Sequence, residues 1–284
     1  VEHLFVANTH SYILFFTDKG KCYWVKVYDI PEGGRAAKGR AIVNLIGCEP
    51  DEKVSAFISV KEFNDDHFVV MATEKGIVKK TKLSAYSNPR KKGIYAVEIR
   101  DGDKLIEARV STGDNDILLG TRNGKSIRFS EEQIRPSGRK TMGVKGITLS
   151  SKDDRLVGML LIKREGTTVL VATEKGFGKR TEISQYRAQK RGGKGVLTMK
   201  TTEKVGKMVT IKEVVDKDDL MIITNQGVLI RQPVSQIRAI GRATQGVKLI
   251  KLGEGTLVSS ITRIMSEEDD GDENNSAEPE GSSE

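Results

Sequence analysis

The sequence predicts an all-β, propeller-like fold built from repeats of about fifty residues, each supplying four strands. Two observations lead there. A short glycine turn flanked by apolar, β-branched runs occurs five times in the 284 residues, and its glycines Gly20, Gly76, Gly124, Gly176 and Gly227 lie 56, 48, 52 and 51 residues apart. No intervening segment keeps a helical period long enough to compete with strands. Self-similarity at that spacing marks a repeat architecture, and four short strands per repeat suit a propeller blade.

Each repeat opens on a hairpin. Ala72-Thr73-Glu74-Lys75-Gly76 returns as Ala172-Thr173-Glu174-Lys175-Gly176, and Gly120-Thr121-Arg122-Asn123-Gly124 lies between them. Thr17-Asp18-Lys19-Gly20 and Thr224-Asn225-Gln226-Gly227 are weaker outer copies. Polar residues followed by glycine between β-type runs are hairpin chemistry, because glycine accepts the positive φ of such turns. The first strands are expected at residues 12–16, 68–72, 117–120, 169–172 and 220–223, with second strands directly after each glycine, as at 22–27 and 77–83. A third run follows a loop, at 41–46, 94–99, 146–149, 196–199 and 247–252. A fourth closes each repeat, at 54–60, 105–110, 156–162, 208–214 and 257–264. Five repeats are present, and residues 1–265 read as one domain.

The loops between second and third strands gather bases. They span residues 33–40, 88–93, 137–146, 189–195 and 241–246. They hold Arg35, Lys38 and Arg40; Arg90, Lys91 and Lys92; Arg139, Lys140 and Lys145; Lys190, Arg191 and Lys194; and Arg242. The loop glycines Gly39, Gly93, Gly146, Gly195 and Gly246 fall 19, 17, 22, 19 and 19 residues after the hairpin glycines. Successive blades therefore carry basic loops at equivalent places, which lie along one rim if the blades are radial. A periodic row of Arg and Lys, with glycines that let backbone N–H groups approach oxygens, suits phosphate tracking without base readout.

Charge supports the same partner. The chain holds 47 Lys and Arg against 39 Asp and Glu, a formal charge of +8. Residues 266–284 hold nine of those acids and no base, so the body carries 47 bases against 30 acids. Such an excess attracts a polyanion, of which nucleic acid is the abundant cellular one. The acidic segment has too few apolar residues to fold and is expected to be disordered, competing with the partner for the rim.

Other chemistries find little support. Cys22 and Cys48 are too few for a disulfide framework and read as reduced thiols of a cytosolic protein. No apolar run approaches the roughly 18 residues of a membrane span. His3, His10 and His67 are too isolated for a metal site, and Asp65-Asp66 and Asp153-Asp154 read as turn tips. The stretch from Gly120 to Ser126 resembles a phosphate-binding P-loop but is one residue short and lies on a repeat hairpin. Trp24 and Phe15 read as strand packing. No catalytic site, metal or cofactor is expected.

Gln189-Lys190-Arg191-Gly192-Gly193-Lys194-Gly195 closely resembles the Q-R-R-G-G-K-G box of the A subunit of DNA gyrase, with Lys190 keeping the charge of the usual Arg. Leu4-Phe5-Val6-Ala7-Asn8-Thr9-His10, Lys26-Val27-Tyr28 and the run from Gly39 to Leu45 are similar to that protein too. The resemblance covers residues 1 to 265. It implies the C-terminal β-pinwheel, a strand-swapped relative of the propeller that binds double-stranded DNA, bends it around its rim and so supports ATP-dependent negative supercoiling. It also implies as partners the breakage-reunion domain of gyrase A and the gyrase B protein, in a cytoplasmic, nucleoid-associated heterotetramer. In that family the box lies in the first of typically six repeats, before a segment like residues 4–9. The expectation is thus a piece whose first blade is missing, or a chain whose fourth repeat carries a second box. The family's nucleophilic tyrosine follows an arginine, and no tyrosine here does. Two other readings stay open: the C-terminal domain of topoisomerase IV, which guides substrate choice, and a scaffold for acidic protein partners.

Overall fold

The computed structural model describes residues 8–31, 33, 41–162 and 166–264. The five repeats each contribute three long strands. The first gives β1 (Tyr12–Thr17), β2 (Lys21–Lys26), a short helix α1 (Ile42–Ile46) and β3 (Val54–Val60). The second gives β4 (Phe68–Thr73), β5 (Ile77–Lys82), β6 (Ile94–Tyr95) and β7 (Leu105–Ser111). The third gives β8 (Asp116–Thr121), β9 (Lys125–Ser130), β10 (Val144–Lys145) and β11 (Leu156–Ile162). The fourth gives β12 (Thr168–Thr173), β13 (Phe177–Glu182), β14 (Val196–Leu197) and β15 (Met208–Val214). The fifth gives β16 (Asp219–Thr224), β17 (Leu229–Pro233), β18 (Val247–Lys248) and β19 (Val258–Ile264). A 3-10 turn follows every second strand, at Val27–Asp29, Leu83–Tyr86, Glu131–Gln133, Ile183–Gln185 and Val234–Gln236.

The short strands do not join their own sheets. β6 completes the sheet β3-β1-β2, β10 completes β7-β4-β5, β14 completes β11-β8-β9 and β18 completes β15-β12-β13. Each repeat from the second to the fifth thus donates its third strand to the blade before it, the exchange that the pinwheel resemblance implies. Only two residues of each third run form a ladder, fewer than the four to six expected from sequence. The fifth sheet, β17-β16-β19, has three strands rather than four among the described residues. The run expected as a strand at 41–46 is instead α1: among the described residues no blade precedes the first to receive it, so its backbone groups pair locally. Gly47 N–H, in left-handed conformation, closes this helix on Val43 O.

The donated strand is locked by the hairpin it meets. Gly20 O accepts from the N–H groups of Ala96 and Val97, Gly76 O from Gly146 and Ile147, Gly124 O from Thr198 and Met199, and Gly176 O from Leu249 and Ile250. Val97, Ile147, Met199 and Ile250 are buried beneath these turns. Approach is so close that a Cβ on Gly124 would lie 2.1 Å from Met199 O, at a φ of +82°. Opposite the end of each first strand the closing strand carries one extra residue, such as Ile106 between the partners of Ala72 and Thr73, a β-bulge that adds local twist.

The core lies between blades. Along β4, Val69 and Met71 pack with Leu14 and Phe16 of the first sheet, while Val70 and Ala72 pack with Ile117 and Leu119 of the third. Leu118 likewise meets Val169 and Val171, and Leu170 meets Leu220 and Ile222. β4, β8 and β12 are apolar on both faces because a neighbouring sheet covers each, which explains their nearly unbroken hydrophobic runs. Phe15 is buried with Tyr23 and Ile46, and Trp24 Nε1 donates to Tyr86 O at 2.9 Å, so both aromatics serve packing.

Candidate nucleic-acid interface

The loop that precedes each donated strand crosses from its own repeat onto the sheet before it. Its glycine makes that crossing possible: Gly195 has φ +68°, and a Cβ there would lie 2.3 Å from Ser126 O. Gly93, Gly143 and Gly246 face Cys22 O, Val78 O and Gly178 O in the same way. The structure therefore corrects the sequence register in the third repeat. The equivalent glycine is Gly143, 19 residues after Gly124, and Gly146 sits three residues further on, in the donated strand's lock. Lys145 consequently stands on β10, exposed, rather than in the loop.

With this register, Arg139, Arg191 and Arg242 each lie four residues before their loop glycine. The guanidinium of Arg191 donates from Nη1 to Lys145 O at 2.8 Å and from Nε to Gln133 O at 3.2 Å. Arg242 donates from Nη1 to Leu197 O at 2.8 Å. These two arginines thus brace their loops on the donated strand of the neighbouring repeat as well as contributing charge. Gln133 and Gln185 receive the backbone N–H of Arg191 and Arg242 on their Oε1 atoms, at 2.8 and 3.3 Å. Main-chain bonds at matching places tie three of the loops to the run that follows the preceding repeat's donated strand: Glu98 N–H donates to Thr141 O, Thr148 N–H to Gly193 O and Lys200 N–H to Thr244 O.

The remaining cations of these loops face solvent. Arg90, Lys91, Lys92, Lys140, Lys190 and Lys194 are exposed, whereas Arg139, Arg191 and Arg242 are half-buried. Gln189 begins its loop by donating its N–H to Arg128 O at 2.8 Å, and Gly192 N–H continues to Gly146 O at 2.7 Å. Gly193 leaves room above Ile127, whose Cδ1 would stand 3.4 Å from an added Cβ. Arg35, Lys38 and Arg40 lie outside the described residues, as does the acidic segment 266–284.

Sequence reasoning missed two sets of residues on this rim. Arg135, Arg187 and Arg238 are exposed just before three of the loops, each eleven residues after its hairpin glycine, so periodicity alone would have found them. Lys79 and Lys179, three residues after their glycines, are buried beneath two of the loops. Burial, reinforced by Arg139, lowers the Lys79 pKa to about 7 against the opposing pull of Glu98. Burial and Arg242 lower that of Lys179 to about 8. Among the described residues no group of three His, Cys, Asp or Glu is placed to hold a metal ion, and no helix is long and apolar enough to cross a membrane.

A periodic row of positive charge, each loop anchored on the preceding blade, can neutralise a line of phosphates at regular intervals. Comparisons with known proteins place the fold and the family. The family model described as "DNA gyrase C-terminal domain, beta-propeller" matches five times, at residues 11–61, 67–112, 115–163, 167–214 and 218–264. The DNA gyrase A subunit of Staphylococcus epidermidis is 46% identical over 271 residues, which are 95% of this chain and 30% of that protein. Its Staphylococcus aureus counterpart is 44% identical over 275 residues, covering 96% of this chain and 31% of its own length. The chain thus spans about a third of these relatives. Among solved structures, the C-terminal domain of DNA topoisomerase IV superposes with a TM-score of 0.83 at 25% identity, covering 91% of this chain and 80% of that one. The DNA gyrase A C-terminal domain gives 0.78 at 21%, covering 93% and 90%, a likeness of fold.

Proposed function

The chain belongs to the family of DNA gyrase C-terminal domains, and from that premise we propose that it binds duplex DNA and wraps it around the basic rim. The observation that carries this reading is the register of the loops: four described blades carry cations just before the loop glycine, three of them an arginine at the same position, and three of the loops make the same main-chain bond to the run after the preceding donated strand. Phosphate contacts of this kind hold DNA without reading bases, and bending it around a curved surface gives only indirect sequence preference. The chain itself performs no chemistry in this reading. Its wrapping delivers a DNA segment of the right hand to the breakage-reunion domain of gyrase A, beside gyrase B, in an ATP-dependent cytoplasmic topoisomerase at the nucleoid. The acidic segment 266–284 competes with DNA for the rim.

A topology assay tests the proposal. Relaxed circular DNA is incubated with the protein, treated with a nicking-and-closing topoisomerase, and deproteinised. A protein-dependent positive linking difference is expected. Binding without a shift would favour the topoisomerase IV-type role, which the 0.83 TM-score makes the specific rival. Absence of binding at low salt would overturn the nucleic-acid reading.

A further inference from the structure

The residue three past each hairpin glycine lies under the loop that the next repeat lays across the sheet. In the four blades that receive a loop it is Tyr23, Lys79, Ile127 and Lys179. The two lysines are 1% and 0% exposed. Neither has a carboxylate within ion-pair distance among the described residues; each directs its donors to main-chain carbonyls instead. Lys79 Nζ donates to Ala96 O at 2.7 Å and to Arg139 O. Lys179 Nζ donates to Gly241 O at 2.7 Å, to Arg242 O, and to Thr244 O and Oγ1 at 3.3 and 3.1 Å.

Arg139 and Arg242 occupy the same loop position, so two blades use the same device. Converging carbonyls repel one another unless a cation sits among them, and an ammonium group with three donors answers that need. Where Ile127 replaces the lysine, the loop is the one with the Gly192-Gly193 pair, and Thr148 Oγ1 holds Gly192 O at 2.7 Å instead.

We propose that Lys79 and Lys179 are positioning residues of the DNA-binding rim: each holds the loop above it, through Nζ-to-carbonyl bonds, in the shape that carries its arginine and neighbouring cations to phosphate, without touching DNA. The inference rests on the DNA-binding reading above. It gives the rim a proton dependence. The charged groups facing Lys79 are Arg139 and Glu98, and the one facing Lys179 is Arg242. These surroundings let both lysines lose their proton near neutral pH. Phosphates arriving over the loops favour the ammonium form, so binding takes up protons and weakens as pH rises through this range.

The test replaces each lysine by the residue that the third blade uses, Lys79→Ile and Lys179→Ile, singly and together. Binding to a random-sequence duplex is measured against salt, at about pH 6.5 and about pH 9, where lysine in water stays charged. The double variant is expected to bind roughly ten-fold more weakly at fixed salt and to lose the parent's pH dependence. Amide exchange in residues 138–143 and 241–246 is expected to quicken. A slope of log K against log salt reduced by about 0.9 per lysine with loop exchange unchanged would mean direct phosphate contact and would overturn the proposal. Unchanged affinity and unchanged loop exchange would overturn it equally. If the parent fails to bind DNA, the function falls, while loop exchange still decides whether the lysines hold the loops. Should the isoleucine variants not fold, proton uptake by the parent on binding DNA, measured calorimetrically near pH 8 in two buffers, decides: uptake is expected, and none refutes.

Discussion

Glu131→Ala should loosen the joint between the second and third blades. Glu131 is fully buried, and its carboxylate takes Lys80 Nζ at 2.7 Å, Ser111 Oγ at 2.9 Å and Asn115 N–H at 3.2 Å. Lys80 is itself 5% exposed, donates to Gly113 O at 3.1 Å, and stands 4.3 Å from the centre of the Phe68 ring. Removing the carboxylate leaves a buried ammonium whose remaining partners are a carbonyl and an aromatic face. Breaking a buried pair in this way costs about 3–5 kcal/mol. At about 2–4 °C per kcal/mol for a chain of this size, Tm should fall by on the order of 6–20 °C. The assay is urea unfolding, read as a shift in midpoint at unchanged slope. A companion double variant, Lys80→Met with Glu131→Leu, removes both charges and leaves Ser111 Oγ and Asn115 N–H without their acceptor and Gly113 O without its side-chain donor, at a cost of about 1–3 kcal/mol for each buried group left unpaired. A Glu131→Ala midpoint within about 1 kcal/mol of the parent would refute the reasoning. So would a double variant as unstable as Lys80→Met and Glu131→Leu summed, because the residues would then be uncoupled.

Three further outcomes are expected. Gly124→Ala should destabilise more than Gly227→Ala, by thermal unfolding: both have φ near +80°, costing about 1–2 kcal/mol, but only at Gly124 does the new Cβ meet a carbonyl, whereas nothing lies within 4 Å of it at Gly227. Lys190→Ala with Lys194→Ala should lower the slope of log K against log salt by about 1.8, since each exposed ammonium accounts for about 0.9 if it neutralises one phosphate. Folding stability should rise with pH between about 7 and the ordinary lysine pKa of 10.5, because Lys79 and Lys179 have lowered folded pKa values and the unfolded chain therefore binds more protons there. In Lys79→Ile with Lys179→Ile, urea midpoints measured across that range should show a flatter rise.

The hairpins are legible because their signal is local. A glycine that must take positive φ between two apolar runs announces itself in a few residues, and five copies at a common spacing define the repeat. Strand exchange is different: the run beginning at Val196 shows that a strand follows the loop, but nothing within it says which sheet receives it. The same gap explains residues 41–46, whose strand-like pattern becomes a helix where no described blade accepts it. Lys145-Gly146 looks like Lys194-Gly195 and so points to Gly146 over Gly143, whereas the shared feature is a close approach to the preceding hairpin's carbonyl. Lys79 and Lys179 escape notice because Lys-Lys-Thr and Lys-Arg-Thr read as solvated strand, and only the donated loop buries them. For Arg191, sequence supplies the charge but not its bonds to Lys145 and Gln133.

Donation to the preceding blade also sets a timetable during synthesis. The first sheet has its three long strands once Val60 is made, yet its fourth arrives only with Tyr95, 35 residues later. The next three blades wait in the same way, from Ser111 to Lys145, Ile162 to Leu197 and Val214 to Lys248. At about 5–20 residues per second, every one of these blades leaves the ribosome with an open edge for about 2–7 s. A pause in translation within a basic loop would lengthen that interval for the preceding blade alone. Codon choice over the loops therefore governs how long each nascent edge is available to chaperones, or to the same edge on a neighbouring nascent chain.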